Sequence, residues 1–312
     1  MISKTLSQPG SRGLSPHMGG AAILVMFLWA LCFPLIETGL AYAPPMFSAA
    51  MRAAISGAVL LAAANVLRRP PISGGSTWIA IAAVGLTATS LGFFGMFYGG
   101  TSVSPGLARV IANTQPLIAA ILAWGILNES LDNWQRLGLV TGFAGIVIIS
   151  LPALATYDSQ LSGIGLILMA AVGIAVSNVL LKRLAGKVDV LRAMGWQLVV
   201  GCLPLTAIAT SIESTDAIDW SPQFVLNILA LSVLGTSAAF AIWFYLLKRV
   251  ALTDLNAFTF LTPVLALIMG RLFFSESLDA FALSGIVISL LGIYLVNRPP
   301  NPAICAVPGA KN

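Results

Sequence analysis

The sequence predicts an all-α integral membrane protein with ten transmembrane helices, arranged as two inverted five-helix repeats. The first observation is composition: 58% of the 312 residues are hydrophobic and only 9% are charged, and the mean hydropathy is +0.94. A soluble domain carries roughly 25% charged residues, so this chain lacks the polar material to coat a water-soluble globule. The other two observations are a series of long apolar segments and an internal repeat.

The apolar segments have the length of membrane-spanning helices. About 30 Å of hydrocarbon requires about twenty residues at a rise of 1.5 Å per residue. Proline and glycine within such segments are acceptable, because neighbouring helices satisfy the freed backbone groups. The ten predicted spans run at about 19–41, 46–67, 76–98, 104–127, 134–153, 163–184, 190–211, 222–247, 253–274 and 280–297.

The internal repeat has an offset of 147 residues, which carries Pro116 onto Pro263 and Glu129-Ser130-Leu131-Asp132 onto an identical segment at 276–279. The first repeat covers 19–153 and the second 163–297, between a polar tail at 1–18 and a short tail at 298–312. Each repeat has five spans, an odd number, so the second copy enters the membrane upside down relative to the first.

The distribution of lysine and arginine predicts the orientation. With the N-terminus inside, the outer loops contain no basic residue and the 212–220 loop is acidic. Basic cytoplasmic loops orient membrane proteins, so both termini are predicted on the cytoplasmic side of the inner membrane. The inner side receives Lys4, Arg12, Arg68, Arg69, Arg136, Lys182, Arg183, Lys187, Arg192, Lys248, Arg249, Arg298 and Lys311.

Inverted repeats are typical of secondary transporters, in which the substrate binds near the midplane between the halves. A duplicated membrane scaffold without transport activity is the alternative. The sequence has no phosphate loop, nucleotide-binding motif or metal-ligand spacing, and its single histidine, His17, lies in the polar tail. We therefore expect no enzyme activity, no cofactor or metal, no ATP coupling and no nucleic-acid partner. The predicted partners are a small-molecule substrate and the lipid bilayer.

Each half resembles an EamA domain of the drug/metabolite transporter superfamily. The resemblance is carried by the Phe27–Ala30 run with Pro34, by Met51–Ala54, and by Thr114-Gln115-Pro116 with its counterpart before Pro263. It implies a ten-helix permease that exports small organic metabolites such as amino acids, although similar proteins move drugs, nucleotide sugars or phosphorylated compounds. An importer with the same fold is a second alternative. One departure is the sixth span, which has Val172-Gly173 where a tryptophan motif is expected.

Ionisable residues within spans are candidates for the transport site, because each costs about 2.5–3.5 kcal/mol on insertion scales. We predict that Glu37 faces Arg52 or Arg109 across an outward vestibule that receives a substrate carboxylate. A structural ion pair is the alternative, and Glu37 is also the one acid deep enough to carry a proton. Arg271 is expected to reach the membrane interface.

Uncharged polar and aromatic residues complete the predicted site. Asn113 shares a helix face with Arg109, and the repeat aligns Arg109 with Asn256 and, after a three-residue shift, Arg52 with Trp196. Amphipathic aromatic and hydrogen-bonding groups suit a small, partly apolar solute. The predicted substrate-binding residues are Trp29, Glu37, Arg52, Arg109, Asn113, Gln115, Asn178, Trp196, Gln197 and Asn256.

A second set of residues is predicted to have structural roles. Pro34, Pro116 and Pro263 are candidate hinges, and Glu129 and Glu276 belong to tight turns before a new helix. Ser130 and Ser277 are expected to cap those helices, with Asp132 and Asp279 in the first turn. Glycines in the fifth and tenth spans predict close helix packing; they are Gly138, Gly142, Gly145, Gly285 and Gly292.

Overall fold

The computed structural model describes residues 15–100, 102–103, 105–154, 161–274 and 279–298. Within these ranges the chain is helical without strands, and ten helices are long and apolar enough to cross a membrane. The predicted structural residue Glu276 and the predicted cap Ser277 lie outside the described residues, as do 1–14 and 299–312 of the two predicted tails. The helices are α1 (Pro16–Gly39), α2 (Pro45–Val66), α3 (Gly75–Gly100), α4 (Pro105–Ala112 and Gln115–Leu127), α5 (Asn133–Leu154), α6 (Leu161–Leu184), α7 (Val190–Ile212), α8 (Pro222–Leu247), α9 (Leu252–Ala257 and Leu261–Phe274) and α10 (Ala280–Asn297).

The helix starts follow local sequence chemistry, with one correction to the predicted caps. Proline opens α1, α2 and α8, where its missing N–H has no intrahelical partner to lose. The carboxylate of Asp132 accepts from the N–H of Gln135 at 2.8 Å, while the Gln135 amide oxygen accepts from the N–H of Asp132 at 3.0 Å. Asp279 likewise accepts from the N–H of Ala282. The caps of α5 and α10 are therefore these aspartates; the prediction of Ser130 as the cap of α5 is wrong.

Helix packing pairs the two halves in a repeated pattern. The most extensive packing joins α5 to α10 and α2 to α7, which are corresponding helices of the two repeats. The remaining contacts follow the same pattern with the two halves exchanged. Helices α3 and α4 of the first half pack on α6 of the second, and helices α8 and α9 of the second half pack on α1 of the first. This is the pattern that two repeats related by an approximate two-fold axis produce. The inverted orientation of the repeats in a membrane remains a prediction.

The predicted close packing of α5 and α10 through glycine is confirmed. A Cβ added at Gly138 would lie 2.7 Å from the Gly292 carbonyl oxygen, and one added at Gly145 would lie 2.7 Å from the Gly285 carbonyl oxygen. Real Cβ atoms do not approach backbone atoms this closely. The absence of a side chain thus allows the two backbones to touch, as in membrane helix pairs with small interface residues.

The interhelical loops gather at two ends of the bundle with different charge. At one end, Arg69 lies 3.8 Å from the Asp189 carboxylate and the Lys248 ammonium donates to the Val188 carbonyl oxygen. We call this the basic end. At the other, the acidic end, Glu213 contacts the start of α2 and the Asp219 N–H donates to Tyr42 at 2.7 Å. Loops predicted to share a membrane side thus contact each other.

Repeat-related irregularities interrupt four helices. Residues Gly85–Leu91 of α3 and Val233–Ala238 of α8 form π-helical turns, a rare geometry that is frequent at functional sites. The α4 helix breaks at Asn113-Thr114, and α9 tightens into a 3₁₀ turn at Phe258–Phe260. All four irregularities lie in the middle of the bundle.

The predicted hinge prolines occupy two different situations. Pro116 and Pro263 lie in the first turn of the second segments of α4 and α9, where proline fits a new helix and disfavours helical backbone at the preceding residue. In contrast, α1 continues as an α-helix through Pro34 to Gly39. The break expected at Pro34 is therefore absent from α1.

Candidate functional site

The guanidinium of Arg52 forms the centre of a buried polar site between α1, α2, α3 and α8. Arg52 lies two turns into α2 from the acidic end and is only 6% exposed. Its Nε donates to the Thr236 hydroxyl at 2.6 Å, and one terminal nitrogen lies 3.4 Å from the Cys32 sulfur. Its central carbon lies 5.0 Å from the centre of the Phe93 ring. The π-turn of α8 presents Thr236 to this arginine.

Of the two predicted partners of Glu37, Arg52 is wrong, and the pairing with Arg109 stays a prediction. Glu37 is exposed, two residues before α1 ends at the acidic end. Arg52 instead contacts neutral groups, the Thr236 hydroxyl and the Cys32 thiol. Because α1 is helical through Pro34, Glu37 lies about 140° around the helix from Cys32, the α1 residue that contacts Arg52.

A matching site occurs in the other half, but it contains no charge. The hydroxyl of Thr89, in the π-turn of α3, donates to the Gln197 side-chain oxygen at 2.8 Å. Gln197 is 1% exposed. Thr89 and Thr236 are related by the repeat offset of 147 residues. Gln197 therefore takes in the second half the position that Arg52 takes in the first.

Two hydrogen bonds from serine hydroxyls to backbone carbonyls confirm the correspondence of Arg52 and Gln197. The Ser237 hydroxyl donates to the Ser56 carbonyl oxygen at 3.2 Å, and the Ser90 hydroxyl donates to the Gly201 carbonyl oxygen at 2.8 Å. An offset of 145 residues relates the start of α2 to the start of α7. The same offset relates Ser56 to Gly201 and Arg52 to Gln197. The predicted alignment of Arg52 with Trp196 is wrong by one residue, because the shift between α2 and α7 is two residues rather than three.

Aromatic side chains lie one turn deeper than Arg52, toward the basic end. Trp29 precedes Cys32 by three residues on α1, and Phe240 follows Thr236 by four on α8. The Trp29 ring lies 5.1 Å from the Trp243 ring and 6.2 Å from the Phe240 ring, edge-on in the second case. These rings provide an apolar surface next to the charged site.

A buried amide cluster follows the aromatic layer. The Asn256 side-chain oxygen accepts from the Gln115 amide at 3.1 Å and from the Asn178 amide at 3.2 Å. The Trp243 indole N–H donates to the Asn178 oxygen at 3.1 Å. The Asn256 amide nitrogen is buried and has no hydrogen-bond partner among the described residues. Gln115, Asn178 and Asn256 are thus brought together, as a predicted set of polar residues on three helices.

Other predicted site residues do not join this cluster. The Trp196 ring packs edge-on against Trp78 at 5.1 Å, between α7 and α3. The Asn113 amide donates to the carbonyl oxygen of Arg109 at 2.8 Å and thereby closes the first segment of α4. Arg109 itself is half-buried. Arg271 is exposed, in agreement with the predicted position at a membrane interface.

A narrow crevice lies about one helical turn from Arg52, on the side of the acidic end, and its polar lining residues are Ser48 and Asn227. It lies between α1, α2, α3 and α8, and Ser48 contributes its one hydroxyl from α2. Ser48 is 8% exposed, and its Oγ has no hydrogen-bond partner among the described residues. Ser48 precedes Arg52 by four residues, so both lie on one face of α2. The apolar lining includes Leu35, Ile36, Phe97, Phe224 and Leu231.

Both ends of the bundle are closed by a carboxylate of one half that caps a helix of the other. At the basic end, Glu129 accepts from the N–H groups of Leu252 and Thr253 at 2.8 and 3.1 Å. At the acidic end, Glu213 accepts from the N–H groups of Met46 and Phe47 at 2.9 and 2.8 Å. A carboxylate at a helix N-terminus forms charge-assisted bonds with donors that lack intrahelical partners. Glu129 thus has a structural role at a helix end, as predicted. It caps the start of α9, however, and not the helix that follows its own turn.

Sequence reasoning missed several residues of this site. Thr236, Thr89, Trp243, Cys32 and Ser48 are neutral side chains within apolar segments, where helix-face arguments give no sign of a special role. One signal was present: Thr-Ser occurs at 89–90 and again at 236–237 at the repeat offset. These pairs form the two π-turns that contact Gln197 and Arg52.

The family follows from a comparison of this chain with known proteins. Residues 19–151 and 161–298 both match the EamA-like transporter family. The chain belongs to the EamA-like transporter family. The two matches agree with the two repeats read from the sequence. No group of three or more possible metal ligands occurs among the described residues of this transporter.

Several relatives of this EamA protein are themselves named as transporters. A WAT1-related chloroplastic protein of Arabidopsis thaliana is 32% identical over 88% of this chain and 67% of its own length. The uncharacterized transporter YvbV of Bacillus subtilis is 30% identical over 88% of this chain and 91% of its own. A probable amino-acid metabolite efflux pump of Salmonella typhimurium is 25% identical over 90% of this chain and 95% of its own.

A solved crystal structure supports the fold of this EamA protein. It superposes with a TM-score of 0.76 and covers 90% of this chain and 96% of the solved chain, at 19% sequence identity. At that identity the likeness establishes the shared architecture of the bundle. The family match and the ten apolar helices make the chain a multi-pass membrane transporter of the EamA type.

Proposed function

We propose that this EamA-like transporter is a secondary transporter that exports small organic metabolites, amino acids or related compounds, across the cytoplasmic membrane by alternating access. The observation that carries the proposal is the buried site between the two halves. Arg52, the Trp29–Trp243 pair and the Asn178–Asn256 amide pair lie in succession along it. All are adjacent to π-turns or helix breaks.

The chemistry of these groups suits a small solute with an apolar part and a few polar atoms. The half-buried ring of Trp29, backed by the buried Trp243, offers contact area for an apolar body. The guanidinium of Arg52 and the unpartnered amide nitrogen of Asn256 offer hydrogen-bond donors. Ligand sites are typically apolar with a small number of placed polar groups. An uncharged sugar would instead require many hydrogen-bonding side chains.

The closures at the two ends support alternating access. Glu129 seals the basic end across the two halves and Glu213 seals the acidic end in the same manner. Access to the central site alternates if one closure opens while the other holds. The excess of lysine and arginine supports a cytoplasmic location for the basic end and for both termini. The efflux name of the Salmonella relative supports export as the direction.

Transport by reconstituted protein tests this proposal. Proteoliposomes are loaded with radiolabelled amino acids and with their acylated or deaminated derivatives, and release is followed in wild type and in an Asn256→Ala variant. We expect release above that of empty liposomes, reduced at least tenfold by the substitution because the amide cluster loses its shared acceptor. The matched control is Asn65→Ala, at an exposed position near the end of α2 and away from the crevice.

Three results would contradict the proposal. Uptake without efflux, in vesicles of defined orientation, would indicate an importer. Absence of movement and of ligand-induced thermal stabilisation across the panel would indicate a membrane scaffold. Equal transport by Asn256→Ala and Asn65→Ala would place the pathway elsewhere in the bundle.

A further inference from the structure

Arg52 is the one charged side chain among the described residues that is buried. Its contacts are the Thr236 hydroxyl, the Cys32 sulfur and the Phe93 ring. None of these carries a negative charge, so the guanidinium lies in the bundle without a counter-ion. Burial of a charge is costly unless the charge is paired. An anion that entered this site would remove that cost.

The crevice lined by Ser48, one helical turn before Arg52 on α2, provides a second, independent indication of a ligand. The Ser48 hydroxyl is buried in this crevice and has no hydrogen-bond partner among the described residues. It lies four residues, or about 6 Å of helix rise, from Arg52. Buried hydroxyl groups normally have a partner. Ser48 and Arg52 therefore offer donors in succession along one face of α2, as an anionic group requires.

The surroundings of Arg52 also limit the charge of the ligand. Deeper than the arginine lie the Trp29 and Phe240 rings, which suit an apolar body. No aspartate or glutamate is buried among the residues that the structure describes. A ligand with one negative charge neutralises the site, whereas a zwitterion leaves an ammonium group without a carboxylate partner.

The second half shows how the same scaffold is built without charge. Gln197 occupies the position of Arg52 and accepts from Thr89, the repeat counterpart of Thr236. A neutral glutamine thus provides the hydrogen-bond partner that the π-turn threonine needs in this arrangement of helices. The fold does not require an arginine at this position, so the charge of Arg52 is available to bind a ligand.

We propose that Arg52 binds the anionic group of the transported solute and that the preferred substrate is an organic monoanion, a carboxylate on an apolar or aromatic body without an ammonium group. This inference rests on the proposed function and narrows its substrate class. Export of a monoanion moves one negative charge outward in each cycle. An inside-negative potential of 100 mV therefore favours export by roughly 50-fold in concentration.

Three probes of similar shape separate the possibilities. They are 3-phenylpropionate, which has the carboxylate; 3-phenylpropanamide, which is its neutral isostere; and phenylalanine, which adds the ammonium group. Two readouts are used: thermal stabilisation of the purified protein by each probe, and efflux from proteoliposomes with and without an imposed potassium diffusion potential. We expect 3-phenylpropionate to bind most tightly and its efflux to accelerate under an inside-negative potential.

The decisive variant is Arg52→Gln, which reproduces the Gln197–Thr89 pair and is therefore expected to fold. We expect it to lose affinity for 3-phenylpropionate by about 10- to 100-fold, the value of a hydrogen bond to a charged group. Discrimination against the amide should disappear with it. Ser48→Ala should give a smaller loss of the same kind. The matched control is Arg69→Gln, at an arginine whose side chain is 50% exposed.

The outcomes separate the two proposals. Equal handling of the acid and the amide by wild type, preference for phenylalanine, or an unchanged Arg52→Gln variant would overturn the monoanion inference while transport stands. Stabilisation by 3-phenylpropionate that depends on Arg52, without transport of any probe, would support the anion site and overturn the transport function. Absence of binding and of transport for the monocarboxylates and for the whole amino-acid panel would overturn both.

Discussion

The carboxylate of Glu129 accepts hydrogen bonds from both the backbone N–H and the hydroxyl of Thr253, at 3.1 and 3.2 Å. Glu129 belongs to the first repeat and Thr253 to the second, so these bonds join the two halves at the basic end of the bundle. The contact explains why a glutamate follows α4 in this chain. Its role is to start α9, because the first N–H groups of that helix have no partner within it.

Replacement of Glu129 by glutamine is expected to destabilise the protein by about 1–3 kcal/mol, because the cap loses its charge and one acceptor oxygen. The measurement is equilibrium unfolding in detergent micelles. Glu213→Gln should have a similar effect, since Glu213 caps α2 in the same way. The exposed Asp216 offers the control, as Asp216→Asn. Equal stability of all three variants would show that the carboxylate caps contribute nothing.

Asn178 and Trp243 should be energetically coupled through the indole N–H···O bond of 3.1 Å. In a double-mutant cycle with Asn178→Ala and Trp243→Phe, we expect a coupling energy of about 0.5–1.5 kcal/mol in unfolding free energy. Trp243→Phe removes the donor and keeps an aromatic ring. The control cycle pairs Asn178→Ala with Trp220→Phe, on the exposed surface, and should be additive. Additivity in both cycles would contradict the amide cluster.

The glycine contact between α5 and α10 predicts a severe effect of one methyl group. Gly138→Ala would place its Cβ 2.7 Å from the Gly292 carbonyl oxygen and the Val296 nitrogen. We expect a loss of about 1–3 kcal/mol from overpacking, measured as a lower thermal unfolding temperature. Gly165→Ala is the matched control, because its Cβ meets open space. Alanine there should be neutral or stabilising, by up to about 1 kcal/mol. Equal effects at both positions would argue against this interface.

Lys182 is expected to hold the basic end closed. Its ammonium donates to the Leu247 carbonyl oxygen at 2.8 Å and also to the Val250 carbonyl oxygen, which satisfies the end of α8. Lys182→Met retains the apolar stem and removes the donors, so we expect a loss of about 1–3 kcal/mol in unfolding free energy. Lys187→Met, at an exposed position in the loop that follows α6, serves as control. An unaffected Lys182→Met variant would rule out this role.

Much of the fold was predictable because hydropathy and the repeat report on it directly. Ten apolar segments of sufficient length match ten helices, and α1 begins only three residues earlier, at Pro16, than the predicted start at residue 19. The glycines of α5 and α10 pointed correctly to their contact, since glycine in a membrane helix permits close approach. The predicted set of Gln115, Asn178 and Asn256 was also brought together.

The partners of charged residues were not predictable in the same way. Glu37 was expected beside Arg52 or Arg109, yet Glu37 is exposed whereas Arg52 is buried. Helical periodicity gives the face of a residue within its own helix. It does not give the rotation of that helix relative to its neighbours, which depends on packing among all of them.

The sequence by itself determined the membrane-helical class and the two repeats, because composition and internal similarity are properties of the chain. Only the tertiary structure decided which residues correspond across the repeats: Arg52 faces Thr236 as Gln197 faces Thr89. A shift of one residue turns a helix by about 100°, so an alignment wrong by one residue selects the wrong side chain. The contacts fix the alignment, because the π-turn of α8 contacts Arg52 and the π-turn of α3 contacts Gln197.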